Sequence, residues 1–486
     1  MNFAKEKKVD LFNYIVWIAI QIIVWNLPAS GGLTVEGVHT LAVFAGLLYG
    51  LCFIKQYAIP CLIAPVLMAY TGAVPDGVVA SFMSGFGSNP FAMMFSVLMI
   101  AGIVNKSGMA KKLALYMINS KLTRGKPWTL TFIILFTTTI LAVFIHPAVV
   151  IAIMLELVVD IFRGLDLKMN RWTVFMLLDI TVCGIQAQNV MPFQQATPLL
   201  YAIAGTIDPN ITVLRYGMPN LALNGLITIA VLIICFLLTF LFCRNDVEDV
   251  KKYVPKEVEP LNEEQKITGV ILIIFVIAQL VPHFLPASAV KEFLISPDLV
   301  GFCAIFVSIA MIVRKKDGSR FITFEDIASN GFMWFPLMML VGLGPCISAM
   351  TSDVTGVMPW LTNIVKPICE NLSPFGVLVF LCAFCAIATN IIDNMPVFFI
   401  VIPIVCVICK SIGMNAAAAL SALLPCIQIG VLLPGATPYA AMMFGKTNTG
   451  YATFAKLSKW SLVRTLIVFL CSITIGWGMM AIFPPV

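Results

Sequence analysis

The run ATNIIDNMPVFFIVIPI, Ala388 to Ile404, sets an Asp-Asn pair and a proline in the middle of a stretch of apolar residues. A carboxylate and an amide are expensive to hold in such surroundings. What they do there depends on the solvent of the rest of the chain. Of its 486 residues, 60% are hydrophobic and 11% charged, whereas a soluble domain carries about 25% charged residues. Apolar runs of roughly 18 or more residues recur from end to end, so lipid is the main solvent. The composition describes an all-α polytopic membrane protein, expected in the plasma (cytoplasmic) membrane. Lys5, Lys7 and Lys8 precede a full-length span with no small-residue cleavage site, which reads as a retained first helix and not as a removable signal peptide.

Several function classes fall away at this level. The net charge of +6 is modest and sits in loops on one side, so no nucleic-acid partner is expected. The 14 cysteines are scattered through apolar segments. Cys382-x-x-Cys385 and Cys406-x-x-Cys409 lie inside apolar segments with no neighbouring histidine or acidic partner, so they read as small-residue helix packing. With three histidines and neither H-E-x-x-H nor G-x-S-x-G, the chain lacks the parts of a membrane hydrolase, and no enzyme activity is expected. It also has no ATP-binding motif.

Eleven spans are expected, at about 11–29, 37–53, 57–74, 91–105, 172–205, 217–243, 267–287, 298–313, 331–349, 415–445 and 458–483. Two further stretches, 129–163 and 373–409, are interrupted at their centres by FIHPAV (Phe144 to Val149) and IIDNMPV (Ile391 to Val397). Proline and polar residues at such a midpoint predict hairpins that enter the membrane and return to the same side, since non-helical backbone at that depth survives only where protein or a water-filled cavity lines it. With the N-terminus inside, the C-terminus outside and both stretches as hairpins, 26 of the 30 Lys and Arg residues, Lys55 and Arg464 among them, fall inside, as the positive-inside rule requires. Treating either stretch as a single crossing spoils that count. Residues 244–266, charged and proline-punctuated, form the expected cytoplasmic linker.

The halves on either side of that linker match in order. FAMMFSVLMIAGIVNKSGM (Phe91 to Met109) is similar to FMWFPLMMLVGLGPCISAM (Phe332 to Met350). Each is followed by a short segment of mixed polarity, then by a broken hairpin, then by MPFQQATPLLYA (Met191 to Ala202) or LLPGATPYAAMM (Leu432 to Met443), then by a long apolar span. The organisation is a tail and first helix (1–36), repeat one (37–243), the linker (244–266) and repeat two (267–486). The first hairpin opens from the inside and the second from the outside. Inverted repeats with discontinuous helices indicate a secondary transporter whose site lies near the midplane.

The Ala-Thr-Pro turns at Ala196-Thr197-Pro198 and Ala436-Thr437-Pro438, the second within LLPGATPYAAMMFG, are similar to the LPxATPPNAxxFG pattern of the divalent-anion:sodium symporter group of the ion transporter superfamily. FEDIASNGFMWFPLMMLVGLGPCISAM, Phe324 to Met350, resembles the segment leading into that group's second hairpin. The likeness in order of elements covers roughly residues 37 to 486. It implies a transport domain of two hairpins and two unwound helices, a dimeric scaffold, an elevator motion and a homodimer. The group carries Ser-Asn-Thr at each hairpin tip, where this chain has IHPA (Ile145 to Ala148) and DNMP (Asp393 to Pro396). Asp-Asn-x-Pro resembles the sodium/proton antiporter and arsenite branches instead.

No Lys or Arg falls at the expected breaks, so an anion there is held by hydroxyls, amides, half-helix N-termini and a co-bound cation. The substrate-binding candidates are His146, Gln194, Gln195, Thr197, Pro198, Asn394, Thr437, Pro438 and Tyr439. The coupling-ion candidates are Asn189, Thr389, Asn390, Asp393 and Gly435, with sodium the one metal expected and no other cofactor. Asp393 carries the most information, because an intramembrane carboxylate costs about 2.5–3.5 kcal/mol. It can bind sodium, carry the coupled proton or repel a dianion; as a structural residue it caps the following half-helix. His146 can bond substrate or pack as a neutral ring. Gln186 to Pro198 places five amides and a threonine in a helix centre, with Gln428 at the mirror position. Thr137, Thr138 and Thr139 are expected to bond their own backbone, Glu156 and Asp160 to meet water or Arg163, and Asp179 has no partner legible in sequence. The expected function is symport of a small organic anion, a di- or tricarboxylate or a related carboxylate, with sodium or protons. The alternative is a sodium/proton antiporter that uses Asp393 as its exchange carboxylate.

Overall fold

A computed structural model describes residues 2–54, 56–74, 76–286, 288–295, 298–331, 334–370 and 372–484. Lys55, counted above with the inside charges, and Phe332 and Met333, which open the second matched segment, lie outside the described residues. The first half comprises α1 (Asn2–Trp25), α2 (Val35–Phe53), α3 (Ala58–Met68), α4 (Gly77–Phe86), α5 (Asn89–Ser107), α6 (Met109–Ile118), α7 (Pro127–Phe144), α8 (Pro147–Gly164), α9 (Arg171–Ala187), α10 (Ala196–Gly205) and α11 (Val213–Phe242). The second comprises α12 (Glu263–Phe284), α13 (Ala289–Ile295), α14 (Asp298–Ile312), α15 (Phe324–Gly331), α16 (Trp334–Thr351), α17 (Val357–Glu370), α18 (Pro374–Ile391), α19 (Asn394–Ser411), α20 (Ala416–Gln428), α21 (Pro438–Gly445) and α22 (Phe454–Met479).

Among the described residues there are no β-strands beyond one isolated bridge, and nine helices are long and apolar enough to cross a membrane. Both interrupted stretches are pairs of helices, α7 with α8 and α18 with α19, each arm 18 residues long and packed on its mate. The two spans expected at 172–205 and 415–445 each divide into two helices, α9 with α10 and α20 with α21. Helices α4 and α15, which hydropathy did not mark, pack across the halves: α15 lies on α5, and α4 on α16.

Polar caps set the boundaries. Ser88 accepts the Phe91 N–H at the start of α5, and Gly108, at φ +64°, ends that helix. Asn170 and Thr173 close a capping box on α9, as Asn262 and Gln265 do on α12. Residues 244–262 are pinned and do not hang free. Gly125 N–H donates to Tyr253 O at 3.2 Å, and Tyr253 Oη and the Lys256 N–H both donate to Asn119 Oδ1, at 3.0 and 2.8 Å. Nearby, Lys106 and the Thr323 backbone hold the Asp326 carboxyl below its usual range.

One correction concerns charge. Arg464, expected among the inside loop residues, is fully buried in α22 and pairs with Asp179 of α9: Nε donates to Oδ1 at 2.8 Å and Nη2 to Oδ2 at 3.1 Å. Thr239 Oγ1 of α11 donates to the same carboxylate at 2.8 Å, and the guanidinium lies 4.3 Å from the centre of the Phe175 ring. The pair bolts the first half to the second. Removing one partner strands a buried charge, which costs about 3–5 kcal/mol, whereas removing both is nearly neutral. Arg464→Met should therefore lower the thermal midpoint of the purified protein sharply, and Asp179→Leu with Arg464→Met should restore most of it.

Candidate functional site

The two hairpin tips are built alike. The first arms end with Ile145 N–H donating to Leu141 O and Ile392 N–H donating to Ala388 O. The next residue in each case caps the second arm: His146 Nδ1 accepts the Ala148 N–H at 3.2 Å, and Asp393 Oδ1 accepts the Met395 N–H at 2.9 Å. His146 Nε2 meets Gln195 Oε1. The ring that suits both partners is neutral, with its proton on Nε2.

The helix breaks are satisfied by side chains. In the first, residues 188–195, Gln194 Nε2 donates to the carbonyls of Ala142 and Val143, both at 3.2 Å, and so caps the first arm of hairpin one. In the second, residues 429–437, Asn390 Oδ1 accepts the N–H groups of Val431 and Leu432, at 3.0 and 2.8 Å. The two Ala-Thr-Pro threonines bond back across their own breaks, Thr197 Oγ1 to Asn189 O at 3.1 Å and Thr437 Oγ1 to Gly430 O at 2.7 Å. Asn220 Nδ2 braces the first turn by donating to both Asn189 O and Thr197 Oγ1.

Between tips and breaks lies a cavity of about 60 Å³. The first turns of four helices border it: Ala148 of α8, Ala196 and Leu199 of α10, Asn394 and Met395 of α19, and Pro438 and Tyr439 of α21. Each brings the positive end of a helix dipole. Gln188, Gln195, Asn394 and Gln428 supply amides, Phe335 and Pro336 an apolar wall, and Asp393 the one carboxylate among the lining residues. The amides form a chain, Asn394 Nδ2 to Gln428 Oε1, Gln188 Nε2 to the same oxygen at 3.4 Å, and Tyr439 Oη to Gln188 Oε1 at 3.4 Å.

Of the substrate candidates, His146, Gln195, Asn394, Pro438 and Tyr439 line the cavity, while Gln194, Thr197, Pro198 and Thr437 stand behind it. Of the coupling-ion candidates, Asp393 lines it. Asn189 and Thr389 are fully buried nearby, and Asn189 Oδ1 and Thr389 Oγ1 accept no hydrogen bond from the described residues, which leaves two oxygens suited to a hard cation. Gly435 is exposed, with open space where a side chain would stand. Gly430 is the glycine that packing demands, since a Cβ there would lie 2.6 Å from Thr389 O and 3.0 Å from Ala436 O. Gln188 and Gln428 were visible as amides at helix breaks, yet only the fold shows that they face each other. Thr138 and Thr139 bond the carbonyls of Ile134 and Leu135 as expected, whereas Thr137 Oγ1 has no hydrogen-bond partner among the described residues. Glu156 meets Lys446, and Asp160 meets Arg163 at 3.4 Å.

Converging helix N-termini, interrupted helices and an amide-lined cavity place the molecule among polytopic membrane proteins with discontinuous helices. The chain belongs to the citrate transporter (CitMHS) family, whose sequence profile matches residues 41–424. Human solute carrier family 13 member 4 is 25% identical over 174 residues, 34% of this chain and 27% of that one. The sodium-dependent dicarboxylate transporter SdcS of Staphylococcus saprophyticus is 21% identical over 317 residues, 58% of each chain. This chain thus spans about a quarter and somewhat over half the length of these curated relatives. The crystal structure of the Alcanivorax borkumensis YdaH transporter shares the fold, with a TM-score of 0.60 at 14% identity over 93% of this chain and 99% of that one.

Thr437→Val removes the bond to Gly430 O together with the cap on the Ala440 N–H, at a cost of about 1–3 kcal/mol. Its thermal midpoint should fall, and Thr437→Ser, which keeps both bonds, should stay close to the wild type.

Proposed function

We propose that the protein is a secondary active transporter that moves a small organic anion, a di- or tricarboxylate or a related carboxylate, coupled to sodium or protons. The observation that carries this reading is the meeting of four helix N-termini on one amide-lined cavity that has no Lys or Arg among its lining residues. Such a site attracts carboxylate oxygens through dipoles and donors, without a fixed cation that would hold them too tightly to release.

Asp393 makes coupling a physical requirement. Two unit negative charges 4 Å apart repel by about 4 kcal/mol near a protein surface, so an anion enters beside this carboxylate only when a proton or a cation sits between them. The sodium-dependent relative and the free oxygens of Asn189 and Thr389 support sodium in that role. His146, Gln195, Asn394, Pro438 and Tyr439 then contact the substrate, with Gln194, Thr197, Pro198 and Thr437 holding their backbone in place. Asn189, Thr389, Asn390 and Asp393 serve the coupling ion; Gly435 is a loop residue of that break.

Inverted repeats, residues 37–243 and 267–486, account for paired contacts: α7 with α9 and α18 with α20, α8 with α21 and α19 with α10, α5 with α14 and α16 with α3. In this arrangement the two hairpins are re-entrant and travel with α9, α10, α20 and α21 as an elevator. The remaining helices form the scaffold of a homodimer in the plasma membrane, with the N-terminus inside and the C-terminus outside. A second reading, sodium/proton exchange on Asp393 itself, is favoured by that carboxylate's single backbone partner in the cavity.

Flux in proteoliposomes separates the two. Labelled mono-, di- and tricarboxylates are offered under separately imposed sodium and pH gradients. Carboxylate uptake that follows one gradient is expected, with the gradient dependence lost in Asp393→Asn. Absence of organic uptake together with sodium-driven proton movement, abolished in that variant, would sink the symport reading in favour of exchange.

A further inference from the structure

The loop between α14 and α15 carries four basic residues, Arg314, Lys315, Lys316 and Arg320. It is held as a miniature antiparallel ladder, with Phe321 N–H donating to Val313 O at 3.1 Å and Lys315 N–H donating to Ser319 O at 2.9 Å. Arg314 and Arg320 are the bridged pair between those bonds. They therefore occupy the non-hydrogen-bonded position, where opposed side chains lie closest and on the same face.

Like charges directly opposite each other are unfavourable in such a ladder, and the nearby acids are engaged elsewhere. Glu264 takes Lys315 at 3.0 Å, Glu263 accepts the Lys316 N–H, and Asp317 accepts from Ser319. Among the described residues no carboxylate is paired with Arg314 or Arg320, and the one bond of the Arg314 guanidinium is to Gly318 O at 3.3 Å. Beneath the two arginines is a shallow hollow of about 490 Å³, bordered by Ser308, Met311 and Ile312. It opens onto one face of α14, where Ile305, Ile309 and Ile312 are 48%, 45% and 75% exposed. The helix is apolar along its length and ends two residues before Arg314, which puts the arginines where hydrocarbon gives way to headgroups.

We propose that Arg314 and Arg320 bind the phosphate of an anionic phospholipid whose acyl chains lie along the exposed face of α14. Paired guanidiniums match phosphate oxygens in fork geometry, and the lipid anion relieves the repulsion between them. Because α14 packs on α5, and Lys106 of α5 pairs with Asp326 just beyond the loop, the bound lipid fastens this corner of the molecule to the headgroup layer.

The test uses the purified full chain in native mass spectrometry, with phosphatidylglycerol and with phosphatidylcholine of the same acyl chains. Wild type should retain one phosphatidylglycerol in preference to phosphatidylcholine. Arg314→Gln and Arg320→Gln should each weaken that retention about five-fold, while Lys121→Gln with Arg124→Gln, an exposed basic pair elsewhere, should leave it unchanged. Equal retention of phosphatidylcholine, equal retention by the double arginine variant, or an equal loss in the control would overturn the proposal. So would displacement of the lipid by an equal concentration of glycerol phosphate, which would make the site one for a soluble anion. In neutral detergent without added lipid the double variant should melt no lower than wild type; a lower midpoint would mean that the arginines serve the fold instead.

Discussion

An apolar medium offers no water to an interrupted helix, so each backbone group released at a break must find a partner within the protein. The centre of this molecule is organised by that constraint. The side chains that satisfy the breaks also join elements distant in sequence. Gln194 closes the carbonyls of the first hairpin from the α9–α10 break, and Asn390 closes the N–H groups of the α20–α21 break from the second hairpin. Because each cap reaches from one interrupted element to another, hairpins and breaks become one hydrogen-bonded unit, and the cavity among them inherits its geometry from those bonds.

The same constraint explains why the cavity is lined with amides. An amide both donates and accepts, so Gln188 and Gln428 can bond each other, Asn394 and Tyr439 in a chain that crosses between halves. Hydroxyls of threonine are consumed closer to home. Thr197 and Thr437 turn to carbonyls at the far end of their own breaks, which fixes where the α10 and α21 N-termini point.

Much of this frame was legible in the chain. The breaks expected at the centres of 129–163 and 373–409 are the junctions of packed helix pairs at 127–164 and 374–411, because length of apolar run and a central proline are local properties. The amphipathic helices α4 and α15 escaped notice, since each is ten residues or fewer and gains its place from packing on α16 and α5. Around the cavity, composition pointed to the right segments but not to the right atoms. Gln188 lines it and Gln194 does not, though six positions apart in one polar stretch, because a break ends the helical periodicity from which facing could have been read.

Two carboxylates show most plainly what sequence leaves open. Asp179 and Asp393 both lie in apolar helical surroundings, and neither has a basic residue within seven positions in sequence. The fold gives Asp179 a guanidinium stacked on Phe175, from a helix 285 positions away, and a threonine hydroxyl from another, 60 positions away. It gives Asp393 a single backbone N–H and a cavity wall. A charge so fully matched as Asp179 has nothing left to exchange, and its work is to hold α9 against α22. Asp393 is capped on one oxygen beside a space framed by helix N-termini, and the coupling role proposed for it rests on that side being open. The difference in partners, and not the shared residue type, is what separates the structural carboxylate from the one proposed to carry charge.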